Sequence, residues 1–151
     1  MEMSEKSRVL IVDDNIDSIM MLTFILKNDY IIHKATSGPE ALESASKNQP
    51  DIILLDVLMP KMDGYEVLAL LKESEDTKDI PVIFVTGLNE ADDEAKGLEL
   101  GASDYITKPF SASIVKLRVE KQLKMGLLEK KYSEVLKELT ALQELAALRK
   151  Q

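Results

Sequence analysis

Hydrophobic positions run through this chain in two rhythms, and the change falls near residue 110. Before it, short runs that are apolar at nearly every position alternate with longer stretches apolar at every third or fourth. The runs at 8–12, 31–35, 52–55, 82–85 and 105–107 predict strands. A run as continuous as Ile52-Ile53-Leu54-Leu55 predicts a strand buried on both faces. The stretches 16–27, 39–47, 65–73 and 90–100 predict helices. Pro39, directly after Gly38, suits a first helical turn, where a missing N–H costs nothing. Gly64 and Gly101 mark a helix start and a helix stop. Five strands alternating with helices predict a doubly wound α/β fold, a parallel sheet with helices on both faces. Periodicity leaves the strand order open.

After Ser111 the pattern is helical throughout, with one glycine (Gly126) and no proline. Leu128, Tyr132, Val135, Leu139, Leu142 and Ala146 follow one another at steps of 4, 3, 4, 3 and 4. That is a heptad stripe with Tyr132, Leu139 and Ala146 at a, and Val135 and Leu142 at d. A continuous helix of about 40 residues is about 60 Å long at 1.5 Å per residue. This is about twice the width of a domain of this size, so the second half is expected to project. An apolar stripe on a projecting helix is expected to be covered by another copy, which predicts a homodimer through the C-terminal helix. Lys121 and Gly126 interrupt the stripe upstream. A frayed amphipathic tail, or a helix folded back on the body, is the alternative.

Charge supports the division. Residues 114–151 carry nine Lys/Arg against five Asp/Glu, a net +4, within a chain of net −8, so residues 1–113 carry −12. An acidic body and a basic tail read as different units, and the acidic body is unsuited to direct contact with nucleic acid. The absence of cysteine excludes disulfides, thiol catalysis and cysteine metal sites. Residues 1–7 are polar and hold no signal core. No run approaches the ~20 apolar residues that cross a bilayer. A soluble, cytoplasmic protein that does not enter the membrane is expected.

The candidate chemistry lies at strand ends. Asp13 and Asp14 follow the first predicted strand, Asp56 the third, Thr86 the fourth and Lys108 the fifth. Parallel α/β sheets gather ligands at their carboxyl edge. Three adjacent carboxylates repel one another, and a hard divalent cation such as Mg²⁺ relieves that repulsion through oxygen ligands. One carboxylate is then left as a nucleophile able to form an acyl phosphate, with the metal and the lysine sharing phosphoryl charge. Thr86 offers a hydroxyl on the same edge, and Gly87 leaves room for a phosphodonor. Taken singly, each residue has an ordinary reading: Asp14 or Asn15 as a helix cap, Lys108 as a surface cation, Tyr105 as a half-buried strand residue. The joint pattern carries the argument.

That pattern is specific. The segments Val12-Asp13-Asp14-Asn15, Leu55-Asp56-Val57-Leu58-Met59-Pro60-Lys61-Met62-Asp63-Gly64, Val85-Thr86-Gly87 and Gly101-Ala102-Ser103-Asp104-Tyr105-Ile106-Thr107-Lys108-Pro109-Phe110 resemble the receiver domain of bacterial two-component response regulators, over about residues 7–120. The resemblance implies a flavodoxin-like five-stranded sheet of order 2-1-3-4-5. It divides the chain into a receiver domain, 1–120, and a coiled-coil extension of its last helix, 121–151. It implies Asp56 as phosphoacceptor, served by a sensor histidine kinase or phosphotransfer protein. Mg²⁺ would be held by Asp13, Asp14, Asp56 and the backbone carbonyl of Leu58, with Asp13 acting partly through water. Lys108, Thr86 and Gly87 would meet the phosphoryl group. Thr86 and Tyr105 would form the switch, Tyr105 moving inward and biasing the face of helix four, strand five and helix five. The Lys108–Pro109 bond is expected to be cis, an uncommon state even before proline.

Two positions that vary within that family are both leucine here, Leu58 and Leu88. Apolar side chains there cannot orient a hydrolytic water, which predicts slow loss of the phosphoryl group. Turnover of outside substrates is not expected. Haloacid-dehalogenase-type phosphatases share the strand-end aspartate, Mg²⁺ and lysine, but need a second acid two residues after the nucleophile. Leu58 stands there. A stand-alone or degenerate receiver serving only as a dimerisation or adaptor module is the other alternative; the intact acids, Thr86 and Lys108 argue against the degenerate form.

Overall fold

The computed structural model describes residues 5–150. Five strands and five helices alternate: β1 Arg8–Val12, α1 Ile16–Leu26, β2 Ile31–Ala35, α2 Gly38–Asn48, β3 Ile52–Leu55, α3 Gly64–Glu73, β4 Val82–Thr86, α4 Ala91–Glu99, β5 Asp104–Thr107 and α5 Ala112–Arg149. All strand pairs are parallel and the order is β2-β1-β3-β4-β5. The predicted elements appear with ends shifted by no more than a residue or two, and the strand order is the one the resemblance implied.

Side-chain alternation along each strand splits the core into two layers. Leu10, Val12, Ile53, Leu55, Val82 and Phe84 face α2 and α3, which contribute Ala41, Ala45, Val67, Leu68 and Leu71. Val9, Ile11, Ile52, Leu54, Ile83 and Val85 face α1 and α5, which contribute Ile19, Leu22, Leu26, Val115 and Val119. The central strands are buried on both sides, so β3 and β4 are apolar at nearly every position.

Polar residues set the helix boundaries. Asn15 caps α1, accepting from the N–H groups of Asp17 and Ser18; Ser37 caps α2, Asp63 caps α3 and Ser111 caps α5. The cap of α1 is thus Asn15, which leaves Asp14 free for another role. α4 has no side-chain cap and buries only Gly97. A Cβ on Gly97 would stand 2.9 Å from Cδ2 of Phe84. The missing side chain lets α4 approach the aromatic rings of Phe84 and Tyr105.

α5 runs unbroken for 38 residues, through Gly126. Its first turns pack Val115, Val119 and Gln122 against the body, and every residue from Lys124 to Lys150 is exposed. The second half projects, and the stripe from Leu128 to Ala146 lies uncovered along it. Among the described residues no helix is long and apolar enough to cross a membrane.

Candidate functional site

The strand order reverses between β1 and β3, whose last residues Val12 and Leu55 are in register. The next residue on each strand is an aspartate. The backbone N–H of Asp56 donates to Val12 O at 3.0 Å and that of Asp13 to Ala35 O at 3.2 Å, which holds both acids to the sheet edge. Asp14, Asp13 and Asp56 each present a carboxylate oxygen, all within 4.8 Å of one another. Asp13 and Asp56 are buried, at 1% and 6% exposure, while Asp14 opens to solvent.

One cation answers these three charges. Lys108 Nζ donates to Asp13 Oδ2 at 2.7 Å and to Asp56 Oδ2 at 3.4 Å. Burial pulls its ammonium pKa down, but the Asp13 hydrogen bond and the Asp56 charge outweigh that, and the pKa stands above its ordinary value. Its position comes from β4, since its backbone N–H donates to Thr86 O at 2.8 Å; the Lys108–Pro109 bond that follows is cis. Three carboxylates against one ammonium give the cluster a formal charge of −2 in a partly buried site. The donor set is all oxygen, with no sulfur or imidazole, and suits a hard divalent ion.

Backbone donors steady the acids. Asn15 N–H reaches Asp13 Oδ1 at 2.9 Å, and Leu58 N–H reaches Asp56 Oδ1 at 3.2 Å. Thr86 is fully buried, its Oγ1 3.5 Å from the N–H of Leu88. Gly87 has open space where a side chain would be. Tyr105, expected to turn inward on phosphorylation, is already inward at 5% exposure, its hydroxyl donating to Leu88 O at 2.8 Å. Burial pushes that hydroxyl up to about 12. Tyr65, Phe84 and Tyr105 form a chain of edge contacts, with ring centroids 5.5 Å and 6.1 Å apart. Lys96 of α4 lies 4.2 Å over the Tyr65 ring. Phe84 of β4 and the switch candidate Tyr105 of β5 are therefore packed directly against α4 at Gly97.

The structure brings Asp13, Asp14, Asp56, Lys108, Thr86 and Leu58 to one sheet edge. It leaves Leu128, Tyr132, Val135, Leu139, Leu142 and Ala146 remote from that edge. Two features escaped the sequence reading. Gly64 reads there only as a helix start, yet it lies against the Asp56 backbone. Ile16, Met20, Met21 and Phe24 of α1 are exposed, at 57–73%, beside a groove completed by Ile25, Phe110 and Ala112. The signal was present in the excess of large apolar residues in 16–26.

The family model of the response regulator receiver domain matches residues 9–120. The chain belongs to the response regulator receiver family. It is 44% identical over 123 residues to a probable cyclic di-GMP phosphodiesterase of Vibrio cholerae, covering 82% of this chain and 28% of that protein. It is 43% identical over 114 residues to the response regulator PleD of Caulobacter vibrioides, covering 75% and 25%. The receiver thus spans about a quarter of the length of these two relatives. Among solved structures, the chemotaxis protein CheY4 of Vibrio cholerae aligns at a TM-score of 0.72 and 29% identity, covering 79% of this chain and 99% of that one.

Proposed function

We propose that this receiver is a phosphorylation-controlled switch in which Asp56 accepts a phosphoryl group and α5 carries the signal outward. The observation that carries this reading is the meeting of Asp13, Asp14, Asp56 and Lys108, four groups from three strand ends, at one edge. Asp13, Asp14, Asp56 and the Leu58 carbonyl would hold Mg²⁺, which when bound offsets the negative charge of the acids and of the phosphoryl oxygens. A carboxylate oxygen of Asp56 attacks phosphorus of a phosphohistidine; the P–N bond breaks as the P–O bond forms, and the imidazole leaves with its electron pair. Lys108 then has two charges to balance on Asp56 rather than one. Thr86, Gly87 and Tyr105 are the groups that respond, and α4 packs on Tyr105 through Gly97.

Labelling with acetyl phosphate and Mg²⁺, followed by intact mass, tests the reading. A gain of one phosphoryl group, reversed by hydroxylamine, is expected; no gain at any Mg²⁺ concentration counts against it.

The donor is a sensor histidine kinase or a phosphotransfer protein, and the exposed apolar residues of α1 offer it a docking face beside the site. Phe24→Asp is expected to slow transfer from such a protein at least tenfold while acetyl phosphate labelling stays unchanged. Equal loss with both donors would mean that the variant harms the site itself. The switch acts in the cytoplasm, where such kinases present their phosphohistidine. Its output is a domain or partner at the far end of α5, and two receivers associate through that helix.

Leu58 is 56% exposed at the mouth of the site, and the half-buried Leu88 sits two residues after Thr86. Neither can hold a water in line with phosphorus. Leu58→Asn is expected to shorten the phosphoryl lifetime several-fold, measured by decay of the labelled mass. An unchanged or longer lifetime would remove Leu58 from the account.

A further inference from the structure

We infer that the partner of the α5 stripe is a second copy of this chain aligned parallel and in register, and that the two helices part just above Met125. This rests on the reading of the chain as a homodimer and specifies its geometry. The body-facing residues Val115, Val119 and Gln122 fall at heptad positions e, b and e when Tyr132 is a. At 100° per residue the a and d seam lies about 100° around the helix from them. The seam can therefore close against a partner while α5 stays packed on its own receiver.

Parallel pairing stacks seven apolar layers: Met125, Leu128, Tyr132, Val135, Leu139, Leu142 and Ala146, each on its own copy. Across the flanks, g residues meet the e residues five places on in the partner. Lys124 meets Glu129, Lys131 meets Leu136, Glu138 meets Gln143 and Leu145 meets Lys150, with no like-charge pair. Lys124 is also held by Glu120 at 2.9 Å within its own helix, an exposed contact it can share. Lysine stems cover the flanking leucines in this alignment. The antiparallel alternative, centred on the same stripe, sets Met125 against Arg149 and Glu138 against its own copy. It stacks six apolar layers instead of seven. Its one gain, Leu136 on Leu136, is smaller than that loss.

The seam cannot continue toward the receivers. Its next positions are Lys121 and Arg118, and parallel pairing would set each against itself. Arg118 is drawn the other way, its Nη1 donating to Asp104 Oδ1 at 2.7 Å at the start of β5. The fork therefore opens between Met125 and Lys121, leaving each receiver on its own branch.

The chain has no cysteine, so single cysteines report the alignment directly. Disulfides need Cα atoms within about 7 Å. Under oxidation the full chain bearing Leu142→Cys, and separately Leu128→Cys, is expected to become a covalent dimer, and Lys121→Cys to remain uncrosslinked. A mixture of Tyr132→Cys and Leu142→Cys chains is expected to give only like-with-like products. A disulfide joining one variant to the other as the main species would overturn the parallel alignment while leaving the homodimer intact. Cross-linking of Lys121→Cys as complete as that of Leu142→Cys would overturn the fork. A monomeric mass by light scattering for the native chain would remove the homodimer itself.

Discussion

Asp56→Asn is expected to abolish Mg²⁺-dependent phosphorylation and to leave a receiver that is at least as stable as the native chain. The first half is chemical: a carboxamide oxygen is not a nucleophile toward phosphorus at neutral pH, and the loss in labelling should exceed a hundredfold. The second half is electrostatic. Three carboxylate oxygens lie within 4.8 Å of one another. At an effective dielectric constant of ~20, two unit charges at that separation repel by roughly 3 kcal/mol. Lys108 offsets part of this, but it sits closer to Asp13, at 2.7 Å, than to Asp56, at 3.4 Å. The amide substitution therefore removes a repulsion and keeps the shorter ion pair. The acceptor for the Leu58 N–H is kept as well. A gain of about 1 kcal/mol would raise Tm by roughly 2–4 °C in a domain of this size.

The same logic sets the response to metal. Mg²⁺ at a hundred times its dissociation constant stabilises the folded state by about 2.7 kcal/mol, and thermal melts of the native chain should rise accordingly. Asp56→Asn should respond far less. Persistent labelling of Asp56→Asn would place the acceptor elsewhere. A lower Tm in Asp56→Asn would show that the carboxylate is stabilising and not strained.

Gly64→Ala is expected to cost about 3 kcal/mol and to impair the site together with the fold. A Cβ on Gly64 would stand 2.3 Å from Asp56 O, 2.7 Å from Val57 Cα and 3.0 Å from Asp56 C. All three are backbone atoms, and none can rotate away. The loop between them is closed by Gly64 N–H donating to Val57 O at 2.8 Å, so the strain falls on the peptide that carries Asp56. Overpacking of this kind costs roughly 1–3 kcal/mol, occasionally more, and a clash with three fixed backbone atoms puts it at the upper end; Gly64 is the first residue of α3, where little helix propensity is gained. Tm should fall by roughly 6–12 °C, and labelling should slow.

Gly126→Ala is the control. Nothing lies within 4 Å of its Cβ position, in the interior of α5, so the substitution should be neutral or stabilising by up to about 1 kcal/mol. Equal melting of the two variants would refute the close approach at Gly64.

The sequence marked the strands well because their physics is local. A strand covered on both faces has no polar option, and β3 and β4 show it at nearly every position. β2 was legible for a different reason. It is an edge strand, half-exposed, and its run Ile31-Ile32-His33-Lys34-Ala35 keeps three apolar positions beside His33 and Lys34, enough to mark a strand between two helical stretches. α4 was legible as a helix but not in its packing, since the deciding residue, Gly97, carries no side chain to signal contact with Phe84. The acids, threonine and lysine were legible as a set because each follows an apolar run. Their separations were not, because they depend on strand order.

By itself, then, the sequence determined the alternation of strands and helices, the cap at Asn15 or its neighbour, the acid, hydroxyl and amine types at strand ends, and the heptad stripe from Leu128 to Ala146. Each is written in residues a few positions apart, where steric and solvation preferences act directly. The meeting of β1 and β3 came from the family resemblance and not from periodicity; only the tertiary structure decided that Lys108 reaches Asp13 more closely than Asp56, that Tyr105 is already turned inward, and that Gly64 must be bare. Those outcomes join residues far apart in the chain. They follow from how the two layers of core side chains close on the sheet, a packing problem that no local window of sequence contains.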